Sequence, residues 1–226
     1  MRTLMIAAAV FLLSMVPALA QEVPKPQAET PEKKESPKSE EKPAEKPAET
    51  PKTAEIDKAA PDFTLKNARG EEVKLASFKG KFVVLEWVNF DCPYVRKHYD
   101  AKDMVTLQKK YREKEVVWLQ ICSSAKGKQG HFEGDALKER IAKEGCDEAF
   151  YLLDEDGAVG GAYKARTTPA MYVIDKEGVL RYMGAIDSIR SAKQEDVAKA
   201  TNYVSAALEE LLAGKAVTTR ETKSYG

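Results

Sequence analysis

From about residue 59 onward, apolar runs of strand length alternate with stretches of helical spacing. Phe82–Asn89 is almost unbroken apolar, the pattern of a strand buried on both faces of a parallel sheet. Val116–Ile121 and Phe150–Leu153 repeat it. After Cys92, Met104, Leu107 and Tyr111 recur at helical spacing, which predicts one helix reaching about Lys114. A second helix is predicted over Asp135–Lys143, and a short one from the Asp154–Gly157 turn through Tyr163. Upstream, Ala60–Leu65 and Glu72–Leu75 flank a turn at Asn67–Gly70 and read as a hairpin. Ala170–Ile174 and Val179–Met183 form another around Lys176-Glu177-Gly178. A long amphipathic helix is predicted over about Gln194–Leu212, with Gly214 as its stop. Strands alternating with helices imply an α/β fold: a central mixed β-sheet flanked by helices, with an N-terminal β-hairpin and a C-terminal amphipathic helix.

The first quarter of the 226-residue chain has a different composition. Met1–Ala20 carries an early charge at Arg2, an apolar core from Leu4 to Val16 and the small-residue ending Ala18-Leu19-Ala20. This is the pattern of a secretory signal peptide cut before Gln21, and it predicts export, in a bacterium to the periplasm. Pro17 and the short apolar run argue against a membrane anchor, so no transmembrane anchor is expected in the mature chain. Residues 21–56 hold seven of the eleven prolines and almost no large apolar residue. Such a segment buries too little surface to offset its ordering entropy and reads as an extended, disordered linker. The expected organisation is a signal peptide over 1–20, the linker over 21–56, a folded domain over 57–214 and a tail over 215–226. Equal numbers of basic and acidic residues, 36 each, give no global field for nucleic acid. Three cysteines, an odd number, leave at least one thiol outside any disulfide.

Cys92 is the residue whose position most resembles chemistry. It follows the Phe82–Asn89 strand and precedes Pro93, which suits the first position of a helix. The unpaired amides and positive dipole end of that helix would favour a thiolate, and helix N-termini lower cysteine pKa values. The alternative is a small buried hydrophobe.

The order of elements and five short segments resemble the thioredoxin-like superfamily, and within it the redoxin or AhpC/TSA (peroxiredoxin-like) branch. The segments are Ala60–Leu65, Phe78–Lys81, the strand–Cys92–Pro93 turn, Leu153–Gly157 and Thr168–Asp175. The resemblance covers Ala60 to about Leu212 and implies a thioredoxin-like fold. It also implies a cis Thr168–Pro169 bond facing Cys92, so that Pro93, Thr168 and Pro169 shape a substrate groove. Glu86, six residues before Cys92, matches the buried acid of thioredoxins. Desolvation there would raise its pKa and let it relay protons; the alternative is a salt bridge to a neighbouring Lys or Arg, or a side chain escaping at the sheet's edge. The second cysteine of a dithiol motif would fall at Val95. The Pro-x-x-x-Thr-x-x-Cys pattern of peroxiredoxins would place its proline at Leu85 and its threonine at Asn89. Asn89 would then offer hydrogen bonds to a peroxide, with Arg96 or Arg166 standing in for the helpful arginine; the alternative for either arginine is a solvated surface charge.

A lone nucleophilic thiol needs a second thiol to resolve its oxidised form. Cys122, at the end of the neighbouring strand, is a candidate, with structural burial as the other reading. Cys146 is expected at the opposite rim. Members of this branch commonly continue into a cysteine past a tail resembling Thr222-Lys223-Ser224-Tyr225-Gly226, and an external thiol is a further source. No phosphate loop or dinucleotide glycine pattern is present, and His98 is set on the wrong face to share a metal with Cys92, so no cofactor or metal is expected. Trp87 and Trp118 read as core. The functional expectation is an exported thiol-dependent redox enzyme. Cys92 would attack a disulfide or a peroxide, with protein or low-molecular-weight thiols and disulfides as partners. The alternative is a non-catalytic binding module that keeps the fold without turnover, favoured by Val95.

Overall fold

The computed structural model describes residues 53–226. The expected signal peptide, and the linker up to residue 52, lie outside the described residues. Ordered packing begins earlier than the expected boundary at residue 57. Ala54 is fully buried and its amide donates to the Ala162 carbonyl at 2.8 Å.

Seven strands form one sheet: β1 (Thr64–Asn67), β2 (Glu72–Lys74), β3 (Val83–Trp87), β4 (Val117–Cys122), β5 (Tyr151–Leu153), β6 (Ala170–Ile174) and β7 (Leu180–Gly184). Their order across the sheet is β2-β1-β5-β4-β3-β6-β7. The centre, β5-β4-β3, is parallel, and β6, β7 and the β1–β2 hairpin pair antiparallel. Every residue of β3 and β6 is buried, which explains their unbroken apolar runs. Alternate residues feed two cores. Val84 and Val88 join Trp118, Tyr151 and Tyr182 beneath α1 (Pro93–Asp100), α2 (Asp103–Arg112), α3 (Gly134–Lys143) and α5 (Tyr203–Leu212). Val83, Leu85 and Trp87 join Phe63, Leu75 and Tyr163 on the other face, beside α4 (Ala158–Ala162). This is the thioredoxin-like arrangement that the sequence implies.

Three boundaries differ from expectation. The first strand starts at Thr64, four residues after Ala60, because the Ala60 amide donates to the Gly178 carbonyl instead. The single helix expected after Cys92 is two. Lys102 adopts φ +59°, and Asp103 begins a new helix. The His98 Nδ1 and Asp103 Oδ2 atoms lie 3.0 Å apart across this break. The C-terminal helix also divides. A 3-10 turn at Gln194–Lys199 gives way to α5, whose N-terminus is capped by the Asn202 side chain accepting the Ser205 amide at 2.8 Å. Gly214, with φ +69°, ends it.

Candidate active site

Cys92 is set by the way β3 ends. The ladder to β4 continues one residue past Trp87, through the Val88 amide and Ile121 carbonyl at 2.9 Å. The chain then turns. The Asn89 side-chain oxygen accepts the Asp91 amide at 2.9 Å, and the Asn89 carbonyl accepts the Cys92 amide at 3.0 Å. Cys92 is the N-cap of α1 and Pro93, exposed beside it, is the first helical residue. The Cys92 carbonyl accepts the Val95 and Arg96 amides at 3.0 and 2.9 Å. The thiol makes no capping bond to the helix amides. Instead it points across to the Thr168 carbonyl, to which it donates at 3.2 Å. The Thr168–Pro169 bond is cis. Cys92 is 9% exposed, and its sulfur faces the proline loop rather than the helix amides expected to hold it. Thr168 also lines a cavity of about 270 Å³, together with Trp87, Asn89, Ser123, Arg166 and Gly226 among others; Cys92 itself is not in that lining.

Glu86 is fully buried and, among the described residues, pairs with neither Lys nor Arg. Its carboxylate accepts from Tyr99 Oη at 2.8 Å, Trp118 Nε1 at 2.8 Å and Gln108 Nε2 at 3.1 Å. Burial pushes the carboxyl above the ordinary range, and the three hydrogen bonds pull it part of the way back. The network extends through Gln120, level with Glu86 in the β3–β4 register, which donates to Tyr99 Oη at 2.6 Å and to Cys146 Sγ at 3.1 Å. Glu86 therefore looks towards Tyr99, Trp118 and Cys146, and none of its hydrogen bonds reaches Cys92. Burial pushes the Tyr99 hydroxyl well up, and the Glu86 charge adds to this. Burial likewise pushes the Cys146 thiol up to about 12.

The other expected residues divide. Asn89 lines the cavity, but its side-chain amide is also tied to the Gln129 carbonyl at 3.3 Å. Arg96 is already engaged by carboxylates. Its guanidinium pairs with Glu144 at 2.6 Å and with Asp100, one turn along the same helix. Arg166 is exposed and lines the cavity. Cys122 is buried, 4% exposed, and its sulfur points to the Gly130 carbonyl at 3.6 Å. Trp118 lies in the core as expected. Trp87 does too, but its indole N–H donates to Ser123 Oγ at the cavity wall, 3.0 Å away.

Sequence reasoning gave no role to three residues around Cys92. Arg140, on α3, donates to Asp91 and to the Phe90 carbonyl, both at 2.6 Å, and so fixes the two residues before Cys92. Lys97 is completely buried and pairs with Asp187 at 2.8 Å. His98 is buried as well, with Nε2 at 3.5 Å from the same carboxylate. A lysine flanked by the apolar positions Val95 and Tyr99 is a sequence signal. Its partner, 90 residues on, is not.

The family profile described as "AhpC/TSA family" matches residues 56–183. The thioredoxin-like protein YneN of Bacillus subtilis is 30% identical over 123 residues, 54% of this chain and 66% of that protein. The thiol-disulfide oxidoreductase ResA of Bacillus thuringiensis is 27% identical over 124 residues, 55% of this chain and 66% of that one. Both matches span just under two thirds of those relatives' own length. The crystal structure of an uncharacterized conserved protein from Geobacillus kaustophilus superposes with a TM-score of 0.62 at 28% identity, covering 75% of this chain and 87% of that one. A profile spanning more than half of the chain thus encloses the β3–Cys92–α1 unit and the cis-proline loop opposite it, and the chain belongs to the AhpC/TSA family.

Proposed function

We propose that this protein is an exported, one-cysteine thiol oxidoreductase in which Cys92 is the reacting group. One observation carries the reading. The cysteine that caps α1 faces the cis Thr168–Pro169 loop, its sulfur 3.2 Å from the Thr168 carbonyl, and Thr168 in turn lines a polar cavity. With a disulfide, the Cys92 sulfur bonds to one sulfur of the pair, and the other leaves as a thiolate with the electrons of the broken bond. With a hydroperoxide, the sulfur takes one oxygen, the O–O bond breaks and an alcohol or water leaves. Cys92 is then a sulfenic acid, which two equivalents of an external thiol return to the thiol as water and a disulfide form. An external thiol suits this geometry, because Val95 takes the place of a partner cysteine in the helix and the Cys122 sulfur is turned to Gly130. Family membership and the relation to a thiol-disulfide oxidoreductase support the reading. Export rests on the leader pattern of residues 1–20 and is checked by finding the mature N-terminus at Gln21.

The second reading is a binding module without turnover, which the missing partner cysteine favours. Treating the full protein with hydrogen peroxide or an aromatic disulfide and mapping adducts by mass spectrometry separates the two. The expected result is a sulfenate or mixed disulfide on Cys92, absent in Cys92→Ser and cleared by added thiol. An unmodified Cys92 would establish the binding module.

A further inference from the structure

Arg140 reaches the turn before Cys92 from α3, and its guanidinium is engaged on all sides. Nη2 donates to the Phe90 carbonyl and Nη1 to the Asp91 carboxylate, both at 2.6 Å, and Nε donates to Glu144 at 2.9 Å. Its central carbon lies over the Phe90 ring at 5.4 Å and over the Phe132 ring at 5.0 Å. Glu144 is itself buried and is shared with Arg96 of α1 at 2.6 Å. A planar fork held by these acceptors and rings has a fixed place, which a lysine in the same position would not have. The two residues it grips, Phe90 and Asp91, lead directly into Cys92, the N-cap of α1.

Asp91 is the immediate neighbour of Cys92, with α-carbons about 3.8 Å apart across the peptide. Its carboxylate therefore lies within the ~10 Å over which salt leaves charges largely unscreened. A negative charge there opposes loss of the thiol proton, because the thiolate would be a second anion in the same neighbourhood. The other charged groups around the turn are committed elsewhere. On α1, Arg96 is taken by Asp100 and Glu144, and Lys97 is closed in its own pair with Asp187. On the proline loop, Arg166 is exposed. From the loop after β4, the Gln129 amide donates to the Asp91 carbonyl and brings no charge. Among the described residues, Arg140 alone forms an ion pair with Asp91. Resting on the reading of Cys92 as the reacting thiol, we propose that Arg140 is a positioning residue that tunes it: the guanidinium cancels the Asp91 charge beside the sulfur and holds the turn from which α1 starts. It acts through Asp91, and none of its hydrogen bonds goes to Cys92. This account gives the two partners opposite signs. Without Arg140 a bare anion stands next to the thiol; without the Asp91 charge a cation does. A purely structural tie would weaken in the same direction whichever partner were lost.

The test uses the full chain, Arg140→Met, Arg140→Lys, Asp91→Asn and the double variant Asp91→Asn/Arg140→Met. Iodoacetamide reacts with the thiolate, so the rate of Cys92 alkylation, located by mass spectrometry and followed from about pH 5 to about pH 10, reports the ionised fraction. At about pH 7, Arg140→Met is expected to react about tenfold more slowly, with its profile displaced upward by about one pH unit, and Asp91→Asn about threefold faster. The double variant should return to within about twofold of the unaltered rate, because both charges are gone. About 1 M sodium chloride, which screens beyond ~3 Å, should shrink the Arg140→Met deficit to about threefold or less. Arg140→Lys keeps the charge without the fork and should lose less than about threefold. Slower reaction in both single variants, with profiles that keep their midpoint, would make Arg140 a structural tie and overturn the proposal. Single variants that match the unaltered chain would overturn it too. Should Arg140→Met fail to fold, Asp91→Asn, altered at the half-exposed end of the pair, decides by the sign of its change. A Cys92 that hydrogen peroxide and an aromatic disulfide both leave unmodified in the unaltered chain would instead sink the oxidoreductase reading on which the proposal rests.

Discussion

Replacing Glu86 by Gln tests how the buried network is charged. Glu86 is fully buried, and its carboxyl is raised chiefly by desolvation. In the unfolded chain it titrates near the ordinary 4.5. Between that value and its folded pKa, the native state holds a proton that the unfolded state has released. Stability from this group is thus fully present below pH 4.5 and is lost as the pH rises through the folded pKa. The slope inside that window approaches about 1.4 kcal/mol per pH unit, for one proton. A glutamine side chain does not titrate, so the stability difference between the unaltered protein and Glu86→Gln should shift towards the mutant as the pH climbs, then level off. A constant offset is superimposed. The amide can accept through its oxygen, but its NH₂ meets the donors of Tyr99, Trp118 or Gln108, which costs about 1–3 kcal/mol. Urea unfolding at half-unit steps from pH 4.5 to about 8 gives both terms. Trp118 fluorescence, in a Trp87→Phe background, follows native-state protonation directly, because the Trp118 indole donates to Glu86. Parallel stability curves and a flat fluorescence titration would refute a raised carboxyl.

Two further outcomes follow from buried groups. Lys97→Met leaves Asp187 buried without its cation and should cost about 3–5 kcal/mol in urea unfolding; a loss below about 1 kcal/mol would mean that water reaches the pair. Cys146, with its thiol pushed up to about 12, should alkylate with iodoacetamide at about pH 8 roughly a thousandfold more slowly in the native protein than after unfolding. Native labelling at the rate of a peptide thiol, located by mass spectrometry, would show that burial does not hold that thiol.

The strands were legible because β3, β4 and β6 carry an apolar signature that only a doubly covered sheet explains. The site was legible where it is local: Cys92-Pro93 follows a strand, and Thr168-Pro169 precedes one. Helix breaks were harder. Asp100-Ala101-Lys102-Asp103 contains neither Gly nor Pro, so nothing in it announces the left-handed Lys102. Asn202, a good N-cap, did mark the true start of α5, but the amphipathic pattern upstream of it masked the signal. Arg96 shows the limit of proximity. One turn from Cys92 it looked poised for substrate, yet Glu144, 48 residues away, claims it. Partnerships across such separations, Lys97 with Asp187 or Gln120 with Tyr99, are set by packing rather than by any local pattern.

Sheets end in exposed amides that invite other chains to pair, and this one closes both margins differently. At one margin, β2 is three residues long with Glu72 and Lys74 facing water, too short and too charged to template a neighbour. At the other, the amides of Leu180 and Met183 are taken by the carbonyls of Lys58 and Arg220, so the entering and the returning chain each cap part of β7. Arg181 and Arg220 both clasp Asp57 across this seam, fastening the two segments to each other. Loss of either segment would therefore bare adhesive backbone along β7, and with it a risk of aggregation.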